Sequence, residues 1–291
     1  MQSEGPGRED RRLVQIDSQT ILVEYGPMGM TIQALHHGRP LIDLALEGGQ
    51  MAFRALEGLA QFLPVIRRKA HQIELEERFP VVVQEMIKAT QRMEAPDLTP
   101  RAAVAGATSD VVADFLTGRG ATKIIVDNGG DIAVRLLEGE EARVGIKTEI
   151  DARIPAYLLR IAAGMDIGGI TTSGLGGRSF TKGIASAVTV VAENAALADA
   201  AATVIGNATR VEDPAIKKCL PETIYPDTDI PGEDVTTEVG ELSLQKIEEA
   251  LQKGLQEALR IERQGHIRGA LISVKGRTVW TESMNAWLTK L

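Results

Sequence analysis

Three observations predict an α+β fold for this chain. Apolar runs are joined in pairs by tight turns, as Ile124–Val126 and Ile132–Val134 are across Asp127-Asn128-Gly129-Gly130-Asp131. Stretches with helical spacing, such as residues 81–93 and 99–117, fall between groups of strands rather than alternating with single ones. A second tight pair, Ala270–Val274 and Thr278–Trp280 about Lys275-Gly276-Arg277, closes the chain. The 291 residues, 44% of them hydrophobic, suffice for a sizeable core, and residues 1–291 are expected to form a single domain.

Composition excludes several functions. A formal net charge of -8 leaves no surplus of cations for nucleic acid or an anionic membrane, and with 3% aromatics base-stacking platforms are unexpected. The single cysteine, Cys219, forbids an internal disulfide and has no neighbouring histidine to activate it. Residues 1–12 are polar, are expected to fray and carry no apolar targeting segment. Together with the lack of any apolar stretch of spanning length, this makes a cytoplasmic location the expectation.

In chain order, residues 13–25 read as a strand pair broken at Asp17-Ser18-Gln19, residues 26–30 as a turn and residues 31–35 as a further strand. His36 and His37 are adjacent, so on a strand they face opposite ways and do not chelate one ion. Helical spacing runs from Gln50 to His71 with a break at Pro64, and again from Val81 to Met93. Thr99 is an expected N-cap with Pro100 at the first helical position. The small residues Ala102 to Ala107 would let this helix approach a neighbour or a ligand closely. Strands are expected at 143–146, 157–161 and 185–192, the last followed by a helix from Ala195 to Ile205 capped by Asn194. Residues 211–240 read as a long surface loop, and residues 240–264 as a charged peripheral helix.

Three groups carry candidate chemistry. Asn128, Gly129, Gly130 and Asp131 place bare backbone N–H groups and a carboxylate at a sheet rim, although Asn-Gly is also the commonest hairpin signal. Thr172, Ser173, Gly174 and Arg178 have a composition suited to an anionic or polar ligand, or to a flexible loop. This stretch lacks the Gly-Lys-Ser/Thr ending of a phosphate loop. Asp199 and Thr203 lie four apart on one helix face and offer two hard oxygens to Mg²⁺ or Ca²⁺. The alternative is a buried structural carboxylate satisfied by backbone N–H groups. No nucleophile or general base stands out.

Taken together and in order, four stretches resemble the ApbE family of flavin transferases. Ala102 to Ala107 is similar to that family's Gly-Ala-Ile-Ala-Lys-Gly helix start. Asn128-Gly129-Gly130-Asp131-Ile132 resembles its Asn-x-Gly-Gly-Asp-Ile, shifted by one at the asparagine. Thr172-Ser173-Gly174 fits its Ser/Thr-Ser-Gly loop, and Val188-Thr189-Val190-Val191-Ala192 through Ala198-Asp199-Ala200-Ala201-Ala202-Thr203 is close to its Val-Thr-Val-x-Ala…Ala-Asp-Ala-x-x-Thr. The resemblance implies a T-fold-like α+β architecture of mixed sheets packed with helices. It also implies a pocket for FAD or a related nucleotide, and a Mg²⁺ held by Asp199, Thr203 and a main-chain carbonyl. In the family, the FMN part of FAD is transferred to a Ser or Thr of an acceptor protein. Phe180-Thr181-Lys182-Gly183-Ile184 stands where the family has His-x-x-Asp-Pro-x-Thr-Gly. The functional expectation is therefore a Mg²⁺-dependent flavin or nucleotide site, either on a group transferase or on a non-catalytic binding module of the same fold.

Overall fold

The computed structural model describes residues 11–149, 152–177 and 179–291. The chain opens with strands β1 (Arg12–Gln15), β2 (Ile21–Tyr25), β3 (Met28–His36) and β4 (Arg39–Pro40), then helices α1 (Ile42–Ala60), α2 (Leu63–Ile66), α3 (Val81–Arg92) and α4 (Val104–Thr117). Strands β5 (Lys123–Asp127), β6 (Asp131–Leu136), β7 (Glu141–Ile146), β8 (Tyr157–Ala162), β9 (Gly169–Ser173) and β10 (Ala187–Ala192) lead to helix α5 (Ala195–Ala208). The last part holds β11 (Ile216–Cys219), β12 (Val235–Val239), α6 (Leu244–Arg263), β13 (Gly269–Val274), β14 (Arg277–Trp280) and β15 (Leu288–Lys290).

One large sheet runs β1-β2-β3-β5-β6-β9-β10-β13-β14, with β4 beside β3; β15-β8-β7 form a second sheet and β11-β12 a third. Every ladder is antiparallel. The large sheet is covered on both faces, which explains why β10 and β13 are buried along their whole length. Side chains alternate between two cores: Val188, Val190 and Ile272 pack with α3, α5 and α6, while Val191 and Leu271 pack with Ile146, Leu159 and Ile161 of the second sheet. A third apolar cluster joins Phe53 of α1 and Leu116 of α4 to Val23, Ile32 and Val126 of the sheet.

Several expectations from the sequence change, among them the turn read at residues 26–30, since β3 already begins at Met28. Helix α1 starts at Ile42, eight residues before Gln50. Gly48 and Gly49 hide this start, yet they belong in the helix because it lies close on its neighbours. A Cβ on Gly48 would stand 3.1 Å from Leu116, and one on Gly49 only 2.3 Å from Leu13. Thr99 makes no cap; its hydroxyl donates instead to Asp229, and a 3₁₀ turn, Pro100–Ala103, precedes α4. Residues 211–240 are not one loop, because β11 and β12 pair within them around an irregular segment, 220–234. The Pro and Asp content of this region conceals two short strands whose pairing is long-range. The expectation that residues 1–12 fray falls mostly outside the described residues, and Arg12 already belongs to β1. No described helix is long and apolar enough to cross a membrane.

Candidate ligand and cation site

A cleft of about 1240 Å³ opens at the rim of the large sheet, between the helical layer and the second sheet. Its lining brings together Asn128, Gly129, Gly130, Asp131, Thr172, Ser173, Gly174, Asp199 and Thr203. Arg178 lies outside the described residues.

The β5–β6 turn forms one side. Gly129 and Gly130 adopt φ of +71° and +101°, which the reversal requires and a Cβ would resist. Asp127 Oδ1 accepts from the Gly130 N–H at 2.7 Å, and the Asn128 N–H donates to the Asp131 carbonyl at 3.2 Å. Ser109 of α4 donates to that same carbonyl at 2.8 Å. Asn128–Asp131 is thus a hairpin turn and a cleft rim at once; the two readings of its sequence do not compete. Beside it, the Thr172 N–H donates to the Gly130 carbonyl at 3.2 Å, and the Thr172 and Thr189 hydroxyls are hydrogen-bonded at 2.8 Å.

Helix α5 forms the opposite side. Asn194 caps it, accepting from the Leu197 N–H at 2.8 Å. Asp199, Thr203 and Asn207 follow at four-residue intervals and all line the cleft, so the stripe is one residue longer than the pair visible in the sequence. Asp199 Oδ2 accepts from the Gly106 N–H at 3.0 Å. Burial pushes the Asp199 carboxyl up to about 7; the amides of Gly106 and Ala105 oppose that shift and the charge of Asp110 adds to it. The Thr203 hydroxyl has no hydrogen-bond partner among the described residues.

Helices α4 and α5 meet at Gly106, where a Cβ would lie 2.2 Å from the Ala195 carbonyl oxygen. Below this crossing Asp110 accepts from the Ala195 and Ala196 N–H groups at 3.1 and 2.8 Å, satisfying the start of α5. Arg135 pairs with Asp110 at 2.9 Å and with Asp114 at 2.7 Å. Burial raises the Asp110 pKa against the pull of Arg135 and those two amides. The carboxylate that holds α5 in place therefore also raises the energy of ionised Asp199.

Several cleft residues are not marked in the sequence. Lys182 comes from the segment 180–184, which lies flat on the end of α5: a Cβ on Gly183 would stand 1.9 Å from the Gly206 carbonyl oxygen. Asn207 Oδ1 accepts from the Lys182 N–H at 2.9 Å, and Thr209 Oγ1 from those of Ile184 and Ala185 at 2.9 and 3.0 Å. The Lys182 ammonium pairs with Asp97 and, at 3.1 Å, with Glu233. Arg101 pairs with Asp229 at 3.1 Å. Asn207 was reachable from the sequence, being four residues beyond Thr203. Lys182 and Arg101 carried no local signal, because their partners lie 51 and 128 residues away in the chain.

The described residues contain no group of three or more His, Cys, Asp or Glu able to hold an ion. The oxygens of Asp199 and Thr203 still suit Mg²⁺, which commonly takes one or two carboxylates and completes its shell with water and a ligand's phosphates. A half-buried carboxyl with a raised pKa, one helical turn from an unpartnered hydroxyl, is a donor set that a cation would satisfy.

The family described as AbpE bacteria matches residues 11–280. A UPF0280 protein of Methanosarcina barkeri is 34% identical over 166 residues, covering 57% of this chain and 64% of that protein. A UPF0280 protein of Methanopyrus kandleri is 38% identical over 143 residues, 47% of this chain and 55% of its own. The chain thus spans between half and two thirds of these relatives' lengths. Among solved structures, the flavinyl transferase ApbE of Pseudomonas stutzeri superposes with a TM-score of 0.51 at 15% identity, covering 89% of this chain and 92% of that one. The flavin transferase ApbE of Vibrio cholerae gives 0.50 at 15% identity, with 95% and 99% covered. At such identity the likeness is one of fold.

Proposed function

Since the chain belongs to the AbpE bacteria family, matched over residues 11–280, we propose that its cleft is a Mg²⁺-dependent flavin-nucleotide site serving group transfer from FAD. The observation that carries this reading is the convergence of Asp199 and Thr203 with Gly129, Gly130, Asp131 and Thr172–Gly174 on one cleft. Asp199 and Thr203 would hold the ion, which when bound supplies positive charge to a pyrophosphate. The turn at Gly129 and Gly130 carries no side chains that would keep a ligand away. Thr172 and Ser173 place hydroxyls at the mouth, where they would orient the ligand. Asp127, Asp131, Asp199 and Asp229 give the cleft many carboxylates, so an anionic nucleotide would need a cation to enter. The product would be an FMN group on a Ser or Thr of an acceptor protein.

A second reading, ligand binding without turnover, draws on the segment 180–184, which replaces a whole motif of the flavin transferases. One experiment separates them. Incubation with FAD, Mg²⁺ and a Ser/Thr-bearing acceptor should release AMP and leave flavin on the acceptor. FAD bound without AMP release would leave the binding module. Absence of any FAD-induced rise in Tm would end both readings, because ligand at a hundredfold excess over Kd adds about 2.7 kcal/mol.

A further inference from the structure

Two cations of the cleft, Arg101 and Lys182, are held by one acidic segment. The loop 220–234 reaches across the mouth, where Tyr225, Thr228, Asp229 and Ile230 line the cavity. Asp229 receives the Thr99 hydroxyl and the Arg101 guanidinium, and Arg101 also donates to the Asp227 carbonyl at 3.4 Å. Four residues later, Glu233 takes the Lys182 ammonium. Within the loop the backbone hydrogen bonds are local turns, such as Thr228 to Tyr225 and Glu233 to Ile230. Its polar ties to the body fall on Thr99, Arg101 and Lys182. Partly exposed ion pairs of this kind are weak and exchangeable.

We propose that Arg101 and Lys182 form an anion subsite for the phosphate groups of the ligand, and that the loop 220–234 is a removable strap whose Asp229 and Glu233 carboxylates stand in for those phosphates until the ligand displaces them. A guanidinium fork and an ammonium that line one cleft and hold carboxylates four residues apart suit a diphosphate, since each phosphate brings more charge and more acceptor oxygens than one carboxylate. Lys182 is built to stay when the strap leaves. Its main chain is fixed by Asn207, its segment lies against α5 at Gly183, and Asp97 continues to orient its ammonium. The subsite adjoins the Asp199–Thr203–Asn207 stripe through that Asn207 contact, so phosphates bound there would reach the cation face of α5. While the strap is closed the apparent affinity is lowered by the fraction of molecules that are open, and neutralising the strap should recover it.

This deepens the flavin-nucleotide reading and rests on it for the identity of the ligand. The test is calorimetric titration of the full chain, with and without Mg²⁺, using inorganic pyrophosphate, FAD and phosphate-free riboflavin. The double variant Asp229→Asn/Glu233→Gln should bind pyrophosphate and FAD about threefold to tenfold more tightly. Arg101→Met and Lys182→Met should each weaken both by about tenfold, Lys182→Arg should restore most of the loss, and riboflavin should bind every variant alike. Pyrophosphate binding no tighter in the strap variant, or no weaker in the cation variants, would overturn the subsite. FAD that binds but ignores all these changes would sink the subsite and spare the flavin reading. Pyrophosphate that follows the pattern while FAD binds nothing would do the reverse. Glu233→Gln alone changes a carboxylate 39% exposed, so it decides the matter even if Lys182→Met fails to fold.

Discussion

The Gly106 amide points along the α4–α5 crossing and donates to Asp199 Oδ2 at 3.0 Å, while its missing side chain lets α4 rest on the Ala195 carbonyl. One glycine thus sets both the helix spacing and the orientation of the candidate metal ligand. Gly106→Ala should cost about 1–3 kcal/mol by overpacking. It should also weaken any Mg²⁺-dependent rise in Tm, because α4 must move off α5 and take its amide away from Asp199. Urea unfolding with and without Mg²⁺ measures both effects, and an unchanged midpoint would show that the crossing has slack.

Asp199 gives a pH signature. Its carboxyl ionises near 3.8 in the unfolded chain and near 7 in the folded one, so between these values the native state holds the extra proton. Stability without metal should therefore fall as pH rises from about 4 to 7 and stay level above, by about 2–4 kcal/mol for this group. Asp199→Asn should remove that slope, raise stability at pH 8 and abolish Mg²⁺ linkage. If the variant is instead less stable at pH 8, the carboxylate is a structural group that gains from its amide partners.

Arg135 is 19% exposed and Asp110 6%, and their pair anchors the start of α5. Arg135→Met would strand a buried carboxylate and should destabilise the protein by about 3–5 kcal/mol. Double replacement with Asp110→Asn should recover part of the loss. A double-mutant cycle in chemical denaturation reads the coupling, and additive losses would mean the two side chains act independently.

Gly130 sits at φ +101°, where an L side chain is strained although a Cβ would stand an ordinary 3.9 Å from the Thr172 carbonyl oxygen. Gly130→Ala should cost about 1–2 kcal/mol and slow hairpin closure. The same change at Gly139, an exposed turn glycine at φ +86°, supplies the control for strain without a cleft nearby. FAD affinity should drop only for the Gly130 variant.

Much of the scaffold was legible locally. The β-branched run 124–126, the Asn194 cap and the Lys275-Gly276-Arg277 hairpin each carry their own short-range signal, and all appear as read. Helix α1 was half hidden because Gly48 and Gly49 lower its propensity, and only the contacts with Leu116 and Leu13 show why they are tolerated. Strands β11 and β12 were missed for a related reason: their pairing spans a proline-rich segment that carries no periodic pattern.

The sequence by itself determined which groups could do chemistry: four-residue spacing fixes Asp199 and Thr203 on one helix face, and Asn128-Gly129-Gly130 fixes a turn. Only the tertiary structure decided that these face one cleft, that Asp199 is buried enough to shift its pKa, and that Lys182 and Arg101 answer to carboxylates far along the chain. The reason is physical. Periodicity and backbone freedom act within a few residues, whereas desolvation and ion pairing depend on what the fold brings alongside.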